Sequence, residues 1–149
     1  MAADPSIEGL TIRPAAAADE ALIRRMVRAE RLDPTQLRWP NFLIAEMGDT
    51  VVGIGQIRRH RTCEELGSLA VTADYRQRGV ASALLRALEA RAGRPLYLLC
   101  AGRMQPFYER FGYRIIAYGE TPAPLRLKRL LMIPFRLAGV RVIAMRKDS

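Results

Sequence analysis

Two rhythms of apolar residues run along this chain, one alternating or unbroken over a few positions, the other with a period near 3.6. Leu10 to Arg13 reads as a short strand closed by Pro14. Asp19 stands where a helix cap belongs. From Glu20 to about Arg31, Leu22, Ile23, Met26 and Val27 form one face, with Arg24, Arg25, Arg28 and Arg31 mostly opposite. Asp33-Pro34 opens a turn or second helix through Leu37. Phe42 to Glu46 and Val51 to Arg58 read as strands joined at Gly48-Asp49, a hairpin signal. Glu65 to Val71 is a fourth strand. Ala81, Leu84, Leu85, Leu88 and Ala92 then recur at helical spacing, and Gly93 and Pro95 end that helix. Leu96 to Cys100 is an apolar run short enough for a buried strand. Pro106 opens a short helix to Phe111, stopped by Gly112, and Tyr113 to Tyr118 is another strand.

The fourth strand, the central helix and the Leu96 run make a βαβ unit, expected to be parallel with a right-handed crossover. The earlier hairpin is antiparallel. The pattern therefore predicts an α/β fold: a mixed, mostly antiparallel sheet with a central βαβ unit and flanking helices, in one domain over residues 1–149. Residues 119–139 form an extra segment. Leu125 to Leu131 sets Arg126, Lys128 and Arg129 among leucines, Pro134 interrupts any long helix, and Val140 to Met145 follows as a final strand. This segment reads as a loop and short helix covering one end of the sheet. The alternatives are a substrate lid, a homodimer contact or a membrane-surface patch.

Composition narrows the class. Hydrophobic residues make up 50% and charged residues 26% of the chain, as in a soluble globular protein. No run of about 20 apolar residues appears, so no transmembrane segment is expected. The first ten residues lack a basic-then-apolar pattern, so a secretory signal is not expected and a cytoplasmic location is. Cys63 and Cys100 are too few for a disulfide framework and read as buried strand residues. The net charge of +9 admits a nucleic acid, an acidic membrane surface or a small anionic ligand. The basic residues are spread out and not interleaved with aromatics, so nucleic acid is not expected as the primary partner. No metal ligand set is visible. His60 sits beside Arg58, Arg59 and Arg61 and reads as a solvated loop residue.

The densest chemistry lies at Arg76-Gln77-Arg78-Gly79-Val80-Ala81, between the fourth strand and the central helix. The first N–H groups of a helix lack intrahelical partners, and the helix dipole favours an anion there. Gly79 lets backbone approach a ligand closely, and Arg76 and Arg78 add positive charge. Glu65, on the preceding strand, is a candidate proton acceptor. Alternation places Glu65, Gly67, Leu69 and Val71 on one face and Glu64, Leu66, Ser68 and Ala70 on the other. A slip of one residue would exchange Glu65 for Glu64.

Leu69-Ala70-Val71, Arg76-x-x-Gly79-x-Ala81 and Phe107-Tyr108-x-x-x-Gly112-Tyr113, in that order around a βαβ pattern, resemble the GNAT acetyltransferase superfamily. The resemblance covers roughly residues 10 to 118. It implies acetyl-CoA as cosubstrate, bound between the fourth and fifth strands where they splay apart. Backbone groups of Leu69 and Val71, flanking Ala70, would pair with the pantetheine arm. The N–H groups from Gln77 through Arg78, Gly79 and Val80 to Ala81 would cradle the pyrophosphate, with Arg76 and Arg78 nearby. Glu65 is then the candidate base for the attacking amine. Tyr108 is the candidate acid for the departing thiolate. Phe107 and Phe111 are expected to face the core, with Tyr108 turned away from it. Ala101 and Met104 depart from the asparagine and alanine that the family often carries, and the first change removes a polar contact near the cofactor arm.

The expected activity is acetyl transfer from acetyl-CoA to a primary amine of a small metabolite or amino-acid-like acceptor, by direct attack in a ternary complex. Arg24, Arg25, Arg38, Arg58 and Arg126 are candidates for recognising a carboxylate or phosphate on that acceptor. The alternatives are a protein lysine or N-terminal acetyltransferase, and a non-catalytic acetyl-CoA-binding sensor.

Overall fold

A computed structural model describes residues 7–149. Seven strands and five helices follow in order: β1 (Leu10–Pro14), α1 (Glu20–Ala29), β2 (Phe42–Met47), β3 (Thr50–Arg59), β4 (Glu64–Val71), α2 (Val80–Glu89), β5 (Leu96–Ala101), α3 (Gln105–Glu109), β6 (Arg114–Ile115), α4 (Ala123–Leu131), α5 (Ile133–Leu137) and β7 (Val142–Lys147). The fold is mixed α/β, as the pattern predicts. The pairs β1–β2, β2–β3, β5–β7 and β6–β7 are antiparallel. Packing divides the chain into two units. One comprises the residues through Arg58 with Leu66–Ala92, the other Arg59–Glu65 with Gly93–Ser149.

In the first unit, strand order is β1-β2-β3-β4. The apolar stripe of α1 packs Ile23, Met26 and Val27 with Phe42 and Ile44 of β2, Ile54 of β3 and Ala70 of β4. Helix α2 lies over Gly53 and Gly55 of β3. A Cβ on Gly53 would stand 2.7 Å from Leu84 Cδ1, and one on Gly55 2.6 Å from Leu88 Cδ1. Two glycines spaced by two in a β-strand thus open one face for a closely laid helix. The β2–β3 hairpin turns on Gly48-Asp49, with Gly48 at φ +60° and Met47 opposite Thr50.

Local departures from the sequence pattern have local causes. Asp19 makes no cap hydrogen bond to α1. Its carboxylate instead accepts from Ala16 N at 2.7 Å and from Arg13 Nη1 and Nη2 at 2.8 and 3.0 Å, and Arg13 also bonds Glu46. The hydrogen bond from Arg13, then the one from Ala16, holds the Asp19 carboxyl below its ordinary value. A depressed carboxyl stabilises the fold fully above its unfolded value near pH ~4 and less as the pH falls through the folded value. Asp19→Asn should therefore lower stability near neutral pH, with the gap to wild type closing in more acid solution. Urea unfolding at a series of pH values checks this. A gap independent of pH would refute it.

Of the turn or helix expected from Asp33, the turn forms. Asp33 Oδ1 accepts from Thr35 N at 2.8 Å and Thr35 Oγ1 at 2.6 Å, an Asx turn that takes the backbone out of a helical path. Gln36 follows at φ +57°.

In the second unit, β5, β7 and β6 lie in that order. Leu125 of α4 is fully buried with Tyr97, Ile116 and Ala144. Strand β6 is shorter than the Tyr113–Tyr118 run predicts. After Ile116 N bonds Ala144 O at 3.0 Å, the chain turns away through Thr121 N to Tyr118 O. Pro134 does not break a helix interior. It is the second residue of α5, where a missing N–H costs no intrahelical bond. Leu127, Leu131 and Leu137 of these two helices stay exposed.

Candidate active site

The turn before α2 has the geometry of an anion-binding helix start. A short 3-10 turn, Ala73–Tyr75, follows β4, and Gln77 and Gly79 both take the left-handed conformation, at φ +61° and +87°. Gly79 is the residue before the first turn of α2, and its carbonyl accepts Ala83 N at 3.0 Å. Val80 is buried and anchors the helix start, while Gln77, Arg78 and Gly79 are exposed and Ala81 is half-buried. The N–H groups of such a first turn project from the helix end, with the positive end of its dipole behind them.

The two arginines of the turn have different surroundings. Arg76 Nε donates to Val71 O at 3.1 Å, and its Nη2 meets both oxygens of Glu30 at 2.7 and 2.6 Å. Arg76 therefore ties the turn to the end of α1, and its charge is shared with a carboxylate. Arg78 stacks on the Tyr75 ring, 5.2 Å from its centroid.

Strand β4 breaks the strict alternation read from the sequence. Ser68 has φ +52°. A Cβ on Gly67 would collide with Arg58 Nη1, and the adjacent Ser68 hydroxyl accepts from Arg58 Nη2 at 3.1 Å. Two consecutive residues thus meet one side chain, as at a β-bulge. Beyond it Leu69 faces Gly55 on the α2 side, whereas Ala70 joins the α1 core, and Val71 is buried. Gly67 is consequently grouped with Ser68 and Ala70, not with Leu69. Arg58, a candidate for acceptor recognition, is only 4% exposed and lies 3.6 Å from Asp33 Oδ2. Arg24 pairs with Glu20, and Arg126 stacks on Tyr118.

The second unit holds the two residues expected from the sequence as base and acid, Glu65 and Tyr108. Glu65 is 2% exposed, and its Oε1 receives both His60 Nε2 at 2.8 Å and Lys128 Nζ at 2.9 Å. Glu64 lies elsewhere: it accepts Gly93 N at 2.9 Å and faces Arg59 Nε at 3.4 Å. The reading of His60 as a solvated loop residue is corrected. Its backbone N–H donates to Cys63 O at 2.9 Å, and this tight reversal between β3 and β4 turns the imidazole onto Glu65. Lys128 arrives from a helix far along the chain, so no local pattern announces it.

Tyr108 is also corrected in its orientation. It is buried, 6% exposed, while Phe107 and Phe111 are half-buried. Gly112 at φ +90° reverses the chain and brings Tyr113 N to Tyr108 O at 3.3 Å, with the two rings 5.8 Å apart. The reversal at Gly112, not the angle around a five-residue helix, sets Tyr113 against Tyr108. Burial and then the neighbouring Cys100 push the Tyr108 phenol up, so it stays protonated at neutral pH. Burial pushes the Cys100 thiol up to about 12 and raises Cys63 as well. Both cysteines are half-buried, and a neutral thiol is a poor nucleophile. Among the described residues no group of three His, Cys, Asp or Glu is placed to hold a metal ion, and no helix is long and apolar enough to cross a membrane.

A left-handed turn opening α2 in a mixed α/β fold agrees with what the family comparison finds. Residues 38–115 match the family model described as the acetyltransferase (GNAT) domain, and the chain belongs to that family. A search of the curated proteins finds no match. Among solved structures, N-acetylglutamate synthase from Neisseria gonorrhoeae, complexed with coenzyme A and N-acetyl-glutamate, is similar at a TM-score of 0.76 and 18% identity. That match covers 93% of this chain and 35% of the other. The present chain thus spans about a third of that protein. Rv2747 from Mycobacterium tuberculosis, in complex with CoA, gives a TM-score of 0.77 at 19% identity, over 93% of this chain and 99% of its own. Ard1 from Thermoplasma volcanium gives 0.68 at 16% identity, over 94% and 97%. At such identities the likeness speaks for the fold.

Proposed function

We propose that this chain transfers an acetyl group from acetyl-CoA to the primary amine of a small, amino-acid-like acceptor. The observation that carries the reading is the left-handed Gly79 turn at the start of α2. Its N–H groups bind the pyrophosphate, and the backbone of Leu69 and Val71 holds the pantetheine arm. Bound there, the cosubstrate supplies an activated thioester. The cluster around Glu65 accepts the proton that the attacking amine must lose, and the Tyr108 hydroxyl supplies one to the departing thiolate. The raised thiols of Cys63 and Cys100 support direct attack over an acyl-cysteine intermediate. The family membership and the CoA complexes of its structural relatives support the cosubstrate. A relative complexed with N-acetyl-glutamate supports the amino-acid-like acceptor.

The test is thermal unfolding with and without acetyl-CoA, in parallel with free-thiol release across amino acids, polyamines and peptides. A raised melting temperature with release on one amine class is expected. Release on peptides alone would favour a protein acetyltransferase. Stabilisation without release on any amine would favour a sensor. The absence of stabilisation at saturating cofactor would overturn the phosphate-turn reading itself.

A further inference from the structure

The cluster around Glu65 contains two groups, His60 and Lys128, that the acid–base assignment leaves without a task. Glu65 Oε1 is approached by two donors at once, His60 Nε2 at 2.8 Å and Lys128 Nζ at 2.9 Å. An oxygen that already faces an ammonium and an imidazole N–H is poorly placed to take a third proton, because a neighbouring cation favours the carboxylate over the carboxylic acid. Access points the same way. The Glu65 side chain retains 3% of its surface and that of His60 retains 9%, so the imidazole is the more approachable of the two. With Nε2–H donated to Glu65, the tautomer is set and Nδ1 is the nitrogen left with a lone pair.

Resting on the acetyl-transfer reading, we infer that His60 is the general base, with Glu65 and Lys128 as positioning residues behind it. The acceptor enters as an ammonium ion. His60 Nδ1 takes one of its protons and becomes imidazolium, which the Glu65 carboxylate stabilises. The amine nitrogen then forms a bond to the thioester carbonyl carbon. The carbon–sulfur bond breaks with its electron pair on sulfur. The nitrogen loses a second proton, the thiolate gains one, and His60 returns its own to solvent. The sum is an amide, a free thiol and one released proton. Lys128 keeps Glu65 from claiming the proton meant for the ring. Cys63 also faces this cluster, and burial holds its thiol neutral.

His60 is the only histidine in the chain, so selective 15N-histidine labelling gives a single pair of ring-nitrogen signals. For the resting protein the expected spectrum shows a protonated Nε2 and a bare Nδ1. A bare Nε2 with a protonated Nδ1 would overturn the assignment. This readout does not depend on finding the acceptor. On the amine class that wild type acetylates, His60→Gln should cut kcat at least a hundredfold, abolish the acid limb of the pH profile and keep the acetyl-CoA thermal shift. Glu65→Gln should lower kcat but retain that limb, moved to lower pH, since the ring has lost its anion. Lys128→Met should move it to higher pH. If instead His60→Gln keeps rate and limb while Glu65→Gln loses both, Glu65 is the base and the inference fails. Wild type that releases no thiol with any amine would sink the acetyl-transfer reading, an outcome separate from the histidine signals.

Discussion

Gly79→Val is expected to weaken acetyl-CoA binding by at least about tenfold while leaving the unliganded protein folded. Gly79 sits at φ +87° as the residue that launches α2. An L-residue held in that region costs roughly 1–2 kcal/mol, and a β-branched one is a true outlier there. The chain can relieve this strain only by turning the 77–79 backbone, which swings away the N–H groups proposed to face the pyrophosphate. A Cβ would also stand 3.3 Å from Ile7 Cδ1. The surrounding core is not invaded, so the loss should fall on the ligand and not on folding. Gly79→Asn serves as the control, because asparagine tolerates left-handed backbone better. It should keep more affinity than valine. Titration of each variant with acetyl-CoA, read by thermal shift, checks both. Wild-type affinity in Gly79→Val would mean that the cofactor is held elsewhere.

Leu84→Ala should be the most damaging single truncation on α2, lowering the unfolding free energy by about 2–5 kcal/mol. Leu84 is fully buried, and its Cδ1 occupies the space that Gly53 leaves open on β3. Removing it opens a void between a helix and a strand that were brought together by the missing side chain beneath. Gly53→Ala should also destabilise, by about 1–3 kcal/mol, because its new methyl meets Leu84 Cδ1 at 2.7 Å and Ala70 O at 3.2 Å. The double variant should lose less than the sum of the two, since the added methyl partly fills the space vacated. Urea unfolding of all four proteins measures that coupling. Strict additivity would show that the helix does not rest on Gly53. Val80 Cγ1 also lies 3.3 Å from that same Cβ position, so a shift here should reach the cofactor turn and appear as reduced acetyl-CoA stabilisation.

What could be read from the sequence alone was whatever is written locally. The apolar rhythms located every strand to within a few residues, because burial on one face of a strand or helix imposes a period on neighbouring positions. Gly79 marked the turn that opens α2, since a left-handed residue before a helix needs a residue type visible in the chain. Asp33-Pro34 left turn and helix open, because an Asx turn competes with the helix through one side chain, a contest that propensity does not settle. Glu65 was visible as a strand carboxylate, but its neighbours were not. His60 looked solvated among three arginines, and Lys128 stood in a basic helix more than sixty residues away. Arg58 looked free to meet a ligand, yet the folded chain buries it with Ser68 and Asp33.

The sequence determined the family, the order of elements and the left-handed turn at the start of α2. Only the tertiary structure decided the surroundings of the reacting groups: which carboxylate is buried, what it is bonded to, and which aromatic ring is covered. The division has a physical cause. Backbone conformation follows from each residue and its neighbours, whereas the environment of a buried charge or ring is made by partners brought in by the folding of distant segments.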